Sequence, residues 1–460
     1  MQGVELSMRA SVARVTPRYD VIVAGGGVAG VSAAVVASRM GVRVCLLEAS
    51  GTLGGTVTQA LVTPFMKWVS GGKPVVAGIF QEFLDRLAKL GGIDVRQPAI
   101  FEPELLKVVM LEMCKEAGVD VWFNATVVGT KVEGHSLKAV SVYTKRGLIE
   151  VEGSVFVDAT GDADLAELAG APISMGREED GLVQPVTVMF KVGGINFTRF
   201  LEYLEHHPDE LAPWVNVEHL RRAIERGEPF SFAGLYGLVR EVRVKGEFPE
   251  IPGIDYIAPL AAFPDKGYAV FNNTRVCGID PLDSKQLARA TLEAYRQALE
   301  IVRFLRKCVP GFEHCYLVQL SCRIGVRESR RIVGEHVIKL EELINCVEFP
   351  DTVARGCYAI DVHPLRPGEE AIFIPIPEGK SYTIPYRALI PLRVEGLLAA
   401  GRCISATHEA LGAVRVIPTA TATGQAAGVA AALSVIKGVK PRELDVSEIQ
   451  QILLKQGAII

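Results

Sequence analysis

The side chains best suited to moving protons lie late in this sequence. His408 stands between a Gly401-Arg402 turn and the start of a small-residue helix, and His363 sits in a turn before Pro364. An imidazole titrates near neutral pH, so either can serve as general acid or base. Tyr386 can donate a proton or hydrogen-bond a carbonyl. Its neighbour Arg387, with Arg323, Arg327 and Arg415, can anchor a carboxylate or offset developing negative charge. Each has a plainer alternative: His408 as an imidazole bonded to backbone or to a cofactor, the arginines as structural ion pairs. His206-His207 has no ligand spacing, so no metal site is expected. These groups orient substrates and move protons, and the transfer of a hydride calls for a cofactor.

The elements that must position them begin with a glycine-rich turn. A short apolar run, Tyr19 to Ala24, enters G-x-G-x-x-G at Gly25, Gly27 and Gly30, and a small-residue helix pattern leaves it from Val31 to Met40. Gly25 allows the tight turn, Gly27 lets backbone approach a pyrophosphate, and Gly30 lets helix and strand pack closely. Val28 and Ala29 lie at the helix start, where unpaired N–H groups and the dipole favour phosphate. A second strand, Val42 to Leu47, ends in Glu48, placed to accept hydrogen bonds from ribose hydroxyls. An acid there suits FAD or NAD rather than NADP, and the turn alone does not separate those two.

Composition narrows the class. The 460 residues suffice for two or three domains, and a net charge of −4 without a long basic block argues against a nucleic-acid partner. The nine cysteines include no C-x-x-C, which argues against a dithiol motif and a ferredoxin-type cluster. The recurrence of Cys308, Cys315 and Cys322 every seven residues reads as chance or buried packing. A reducing cytoplasm is the simplest compartment. Residues 1–16 read as a flexible tail without a secretory core, and 416–436 as a buried helix rather than a membrane span.

Helices are expected over 75–90 and 102–117, then a strand over 119–123. A three-strand meander follows (126–132, 137–144, 148–151), with a separate return strand Val155–Ala159. In the middle, helices over 197–205, 216–226 and 284–308 alternate with strands over 186–192, 268–272 and 316–320.

A parallel sheet interrupted by a meander, with a return strand ending in Ala159-Thr160-Gly161-Asp162, resembles the two-dinucleotide-binding-domain flavoproteins. The block A-G-R-C-I-S-A-T-H-E-A-L-G, Ala400 to Gly412, is more narrowly similar to the bacterial FAD-dependent oxidoreductase family. Gln184-Pro185-Val186, the Arg-rich run Arg327 to Gly334, Ile360 to His363 and Ile384 to Arg387 also resemble that family's segments. No second glycine motif follows a strand, so no separate NAD(P)H domain is expected.

The resemblance implies FAD as cofactor. Glu48, Ala49, Gly54, Gly55 and Thr56 would wrap its adenosine and ribityl-phosphate side, with Val127 nearby. Ala159, Thr160, Gly161 and Asp162 would line it, although Asp162 alone also reads as a helix cap. Gly401, Arg402, Arg415 and Val416 would contact it, where a helix starting at Pro418 brings positive potential to reduced flavin. The implied fold is α/β: a Rossmann-like FAD-binding domain (17–165 and 390–460) with a parallel sheet and antiparallel meander, and an inserted mixed α+β substrate domain (166–389).

The expected function is hydride transfer between flavin N5 and a small polar metabolite, with CH–OH or CH–NH oxidation favoured. Reduction of an activated C=C bond is the variant. An RNA-modifying flavoprotein, which needs a basic face, and an electron-transfer subunit, which needs cluster ligands, are the rivals. Partners would be a small-molecule substrate and an electron acceptor or donor of unspecified kind, with homo-oligomerisation open.

Overall fold

The computed structural model describes residues 17–94, 99–366 and 368–460. The expected tail, 1–16, lies outside the described residues. Seven strands form the main sheet: β1 (Arg18–Ala24), β2 (Val44–Glu48), β3 (Asp120–Phe123), β4 (Thr126–Glu133), β5 (Ser136–Thr144), β6 (Gly147–Asp158) and β7 (Leu397–Ala399). Their order is β3-β2-β1-β6-β5-β4, with β7 on β6. Val21 to Ala24 of β1 are all buried, as a central parallel strand covered on both faces requires.

β6 corrects the expected pair of strands, 148–151 and 155–159. It is one strand of 12 residues. Its first half pairs antiparallel with β5, and from Glu152 onward it pairs parallel with β1. The side that β5 leaves is taken by β7, with Leu397 opposite Phe156. The polar stretch Glu152-Gly153-Ser154 resembles a turn in sequence but marks the point where β6 changes partner.

Three helices pack on this sheet: α1 (Val28–Arg39), α2 (Pro103–Ala117) and α3 (Ile417–Lys437). α1 and α3 run parallel along small residues. A Cβ added at Gly424 would lie 2.2 Å from the Ala29 carbonyl oxygen, and one at Gly428 would lie 2.4 Å from that of Ala33. This close approach brings both helix N-termini to the carboxyl end of the sheet, the usual ligand end of such folds. α3 is long and apolar enough to cross a membrane by length and composition, but it is largely buried in the protein. The helix expected over 75–90 spans only Ile79–Lys89, where Gln425 of α3 accepts from the Ile79 N–H at 3.1 Å.

A second hydrophobic core gathers residues between Phe190 and Cys315, among them Phe200, Phe230, Phe232, Phe271 and Phe312. It sits under a four-stranded antiparallel sheet (Phe190–Gly193, Pro259–Phe263, Tyr268–Phe271, Tyr316–Leu320) and the helix Ser284–Cys308. The strand expected over 186–192 shrinks to Phe190–Gly193, because Val186 and Thr187 make only single bridges, to Val276 and Gly325. Buried residues from Ile338 to Leu389, within the expected 166–389 division, share the core of α1 and α3. Cys315 is buried and Cys322 exposed, and every described cysteine is free.

Candidate functional site

One cleft at the carboxyl end of the sheet gathers residues from both ends of the chain. Its empty space of about 820 Å³, part of it open to solvent, is lined by Gly25, Gly27, Val28, Ala29, Glu48, Gly54, Gly55, Thr56, Ala159, Thr160, Gly161, Gly401, Arg402 and Arg415. Gly25 has φ +98°, and an added Cβ would stand 2.4 Å from the Ala159 carbonyl oxygen, so turn and sheet both demand glycine. Gly30 lies beneath, its Cα against the Gly25 carbonyl.

Gly27 is different. Its φ is −69°, which any residue adopts, and an added Cβ would meet no protein atom within 4 Å. Neither backbone nor packing requires glycine there, so the space it leaves open faces the cleft. This is the fit a pyrophosphate needs at the N-terminus of α1. Glu48 is buried at the rim, accepting from the Gly26 N–H at 2.7 Å and the Ser50 N–H at 2.8 Å. Those bonds fix its carboxylate with lone pairs to spare for a ribose.

Five of the expected cofactor residues are not in the cleft lining. Ala49 is exposed beyond Glu48, and Val127 on β4 packs against the opposite face of the sheet. Gly30 acts from below, as described. Val416 is the N-cap of α3, and it is Ile417 and Ala420 that line the cleft. Asp162 holds Arg402, with Oδ1 2.8 Å from Nη2, and accepts from Ser329 Oγ. Burial pushes the Asp162 carboxyl up, but the Arg402 charge and these bonds outweigh it and hold the pKa below the usual range. Asp162 is thus the partner that positions a cleft arginine. Arg323, expected as an anchor, does line the cleft, and Val57, Ile324 and Val326 join it unannounced. An apolar residue beside an Arg-rich run carries no sequence signal of its own.

The two histidines diverge. His408 is buried, its Nδ1 2.9 Å from Glu328 Oε1. Glu328 is itself fully buried, bonded to Arg331 and to the Gln184 N–H. His408 belongs to this locked network, and neither it nor His363 is in the cleft lining; both line a second hollow with Glu369 and Glu409. His363 keeps a side-chain exposure of 18%. Its Nδ1 lies 3.1 Å from Arg275 Nη2, and its Nε2 lies 3.8 Å from Asp361 Oδ2. A guanidinium only donates, so Nδ1 is the acceptor and the proton sits on Nε2. Burial, then Arg327, Arg275 and Arg415, hold the His363 pKa well below its ordinary value, so the ring is neutral.

Tyr386 and Arg387 are corrections. The Tyr386 ring is buried, with its hydroxyl donating to the Pro441 carbonyl at 2.9 Å, and burial raises its pKa far from any working range. Arg387 is half exposed and pairs with Asp351 at 2.9 Å. Neither lines the cleft. His206 and His207 each hydrogen-bond a backbone carbonyl one turn back, of Glu202 and Tyr203.

Residues 20–453 match the model of the family described as FAD dependent oxidoreductase. No curated protein matches the chain. Among solved structures, a geranylgeranyl bacteriochlorophyll reductase-like protein from Thermoplasma acidophilum is similar at 12% identity and TM-score 0.45, covering 96% of this chain and 84% of that one. GidA from Aquifex aeolicus is similar at 15% identity and TM-score 0.46, covering 94% and 65%. For p-nitrophenol 4-monooxygenase PnpA from Pseudomonas putida DLL-E4 the values are 12% and 0.40, with 95% and 83% covered. The family match runs through strand, turn, cleft and the final helix alike, and by it this chain belongs to the FAD-dependent oxidoreductases, enzymes whose cofactor is FAD.

Proposed function

We propose that the protein oxidises a CH–OH or CH–NH bond of a small polar metabolite, with FAD held in the cleft between Gly27 and Arg415. The observation that carries the cofactor side is Gly27, a glycine required by neither its φ nor its packing, facing open space at a helix N-terminus. FAD, when bound, supplies hydride acceptance at its N5. The chain supplies the rest. Glu48 would hold the ribose, the N-terminus of α1 the pyrophosphate, and Arg402, fixed by Asp162, would add positive charge on the opposite wall.

His363 rather than His408 is the residue we assign to orienting the substrate, through its Nε2–H, while the proton released as the hydride leaves passes to solvent. His363 is neutral, partly accessible, and carries its proton on Nε2 facing Asp361, whereas His408 and its partner Glu328 are both buried. Arg415 links the two places: it lines the cleft, and its Nη2 lies 3.1 Å from the Asp361 carbonyl oxygen. We further propose that the inserted substrate domain is the unit around the second core, residues about 184–327, smaller than the 166–389 division.

Purified protein should be yellow, and acid should release the flavin. Under anaerobic conditions a hydroxy or amino metabolite should bleach the flavin absorbance. His363→Gln should keep its FAD and bleach about 10–10²-fold more slowly, because the substrate loses its orienting ring N–H donor. Bleaching by no such compound, together with reoxidation of chemically reduced flavin by an activated alkene, would make the C=C reductase the function instead.

A further inference from the structure

Beside the cleft lies a group of charges of which only Arg415 reaches the cleft lining. Arg275, Arg327 and Arg415 converge on His363 from three segments. Arg275 Nη1 donates to the Gly253 carbonyl at 3.1 Å and Nη2 to His363. Arg327 Nη1 donates to the Pro185 carbonyl at 2.7 Å and to Thr187 Oγ1 at 2.5 Å. Arg415 Nη2 donates to Gln184 Oε1 at 3.2 Å and to the Asp361 carbonyl at 3.1 Å. Every one of these partners is neutral. Among the described residues none of the three arginines forms a salt bridge, although exposed arginines elsewhere in the chain are paired.

Among the described residues, Asp361 is the carboxylate that acts on all three arginines, its Oδ2 accepting from the Tyr358 hydroxyl at 2.9 Å, whereas Asp255, which also acts on Arg275, is paired with Arg243, and Glu369 beside His363 is paired with Arg177. Glu328, the next acid, is held by Arg331 and His408. Three guanidiniums against one carboxylate not already held by another arginine leave positive charge in excess inside the protein. Donors are also left over: Arg275 Nε, Arg415 Nε and Gln184 Nε2 are buried without a hydrogen-bond partner. A buried unpaired charge and an orphan donor each cost free energy, so such a group persists where a ligand completes it. Burial and mutual repulsion push Arg327 down to about 9, the mark of cations crowded without counter-charge.

We propose that Arg275, Arg327 and Arg415 form the substrate's anchoring site, and that the substrate is a small dianion, bearing either two carboxylates or one phosphate monoester. A dianion supplies the missing charge and has acceptor oxygens for the free Nε–H groups, and guanidiniums bind both carboxylate and phosphate bidentately. Held there, it would sit against His363 Nε2 and Arg415, next to the cleft. This inference rests on the proposed oxidoreductase reading, whose substrate class it names.

The test uses the flavin-loaded protein, its FAD content measured first. Succinate and inorganic phosphate are titrated by calorimetry and by perturbation of the flavin spectrum, with acetate and chloride at equal ionic strength as controls. We expect saturable binding of one dianion at least ~10-fold tighter than acetate. Succinate binding identifies a dicarboxylate substrate class and phosphate binding a phosphate ester. Arg327→Gln should weaken that binding ~10-fold or more while the ligand-free protein melts no lower than wild type, because a like charge has been removed. Flavin-loaded protein that binds neither dianion overturns the inference, as does Arg327→Gln that binds unchanged and melts lower. Protein that cannot be loaded with FAD overturns the oxidoreductase reading instead, so the two failures are distinct.

Discussion

At the scale of single residues, the turn at Gly25 and Gly27 separates two reasons for being glycine. Gly25 answers to a left-handed φ and to the Ala159 carbonyl, whereas Gly27 answers to neither. Gly27→Val should therefore fold with a loss of only about 1 kcal/mol, the difference between glycine and valine at an N-cap. The same variant should purify without flavin absorbance. Denaturant melts and the visible spectrum check the two halves separately, and full FAD occupancy would displace the phosphate site from this turn. These residues were legible because strand, glycines and acid follow one another within a single short unit. Tyr386 and Arg387 were misread for the opposite reason. Their neighbours match a family signature, but what decides their roles is distant: Pro441 for Tyr386 and Asp351 for Arg387. His408 likewise depends on Glu328, 80 residues away, and Arg275, which no motif singles out, meets His363 only in the folded chain.

At the scale of elements, the contact between α1 and α3 governs the width of the cleft. Gly424 and Gly428 let α3 lie on the backbone of α1, and both helices begin at the cleft. Gly424→Ala places a methyl group where the Ala29 carbonyl already is. We expect a loss of about 1–3 kcal/mol, seen as a lower urea midpoint with unchanged slope. FAD affinity should fall as well, because Ala29 lines the cleft. Unaltered midpoint and affinity would show that the helices can separate without cost. Local signals served well where an element carries its own stop signs. The helix Ser284–Cys308 begins where Asp283 accepts from the N–H groups of Lys285 and Gln286. They failed at β6, where a polar Glu152-Gly153-Ser154 stretch lies inside a strand that neighbours on both sides keep extended. Register with distant strands overrides propensity there.

At the scale of the whole molecule, the arginine group ties stability to pH. His363 is held neutral in the fold, facing Arg275, Arg327, Arg415 and Asp361, whereas in the unfolded chain it titrates near 6.5. Below 6.5 the unfolded state binds the extra proton, so this contribution is complete above 6.5 and is lost as pH falls toward the folded pKa. Stability should decline on acidification from about pH 6.5 to 5, and His363→Asn should flatten that slope. Urea midpoints across that range measure it, and an identical slope in the variant would show that other groups set the acid limb.

The placement of β7 has a consequence in time. The sheet edge at Phe156 is filled by a strand near residue 397, and the cleft is completed by Ala420. A growing chain on the ribosome therefore exposes the glycine turn long before it owns a cofactor site. At ordinary synthesis rates the wait is roughly 20–80 s. Over that interval FAD cannot act as a template for folding, and the open flank of β6 must be shielded by the chain itself or by chaperones.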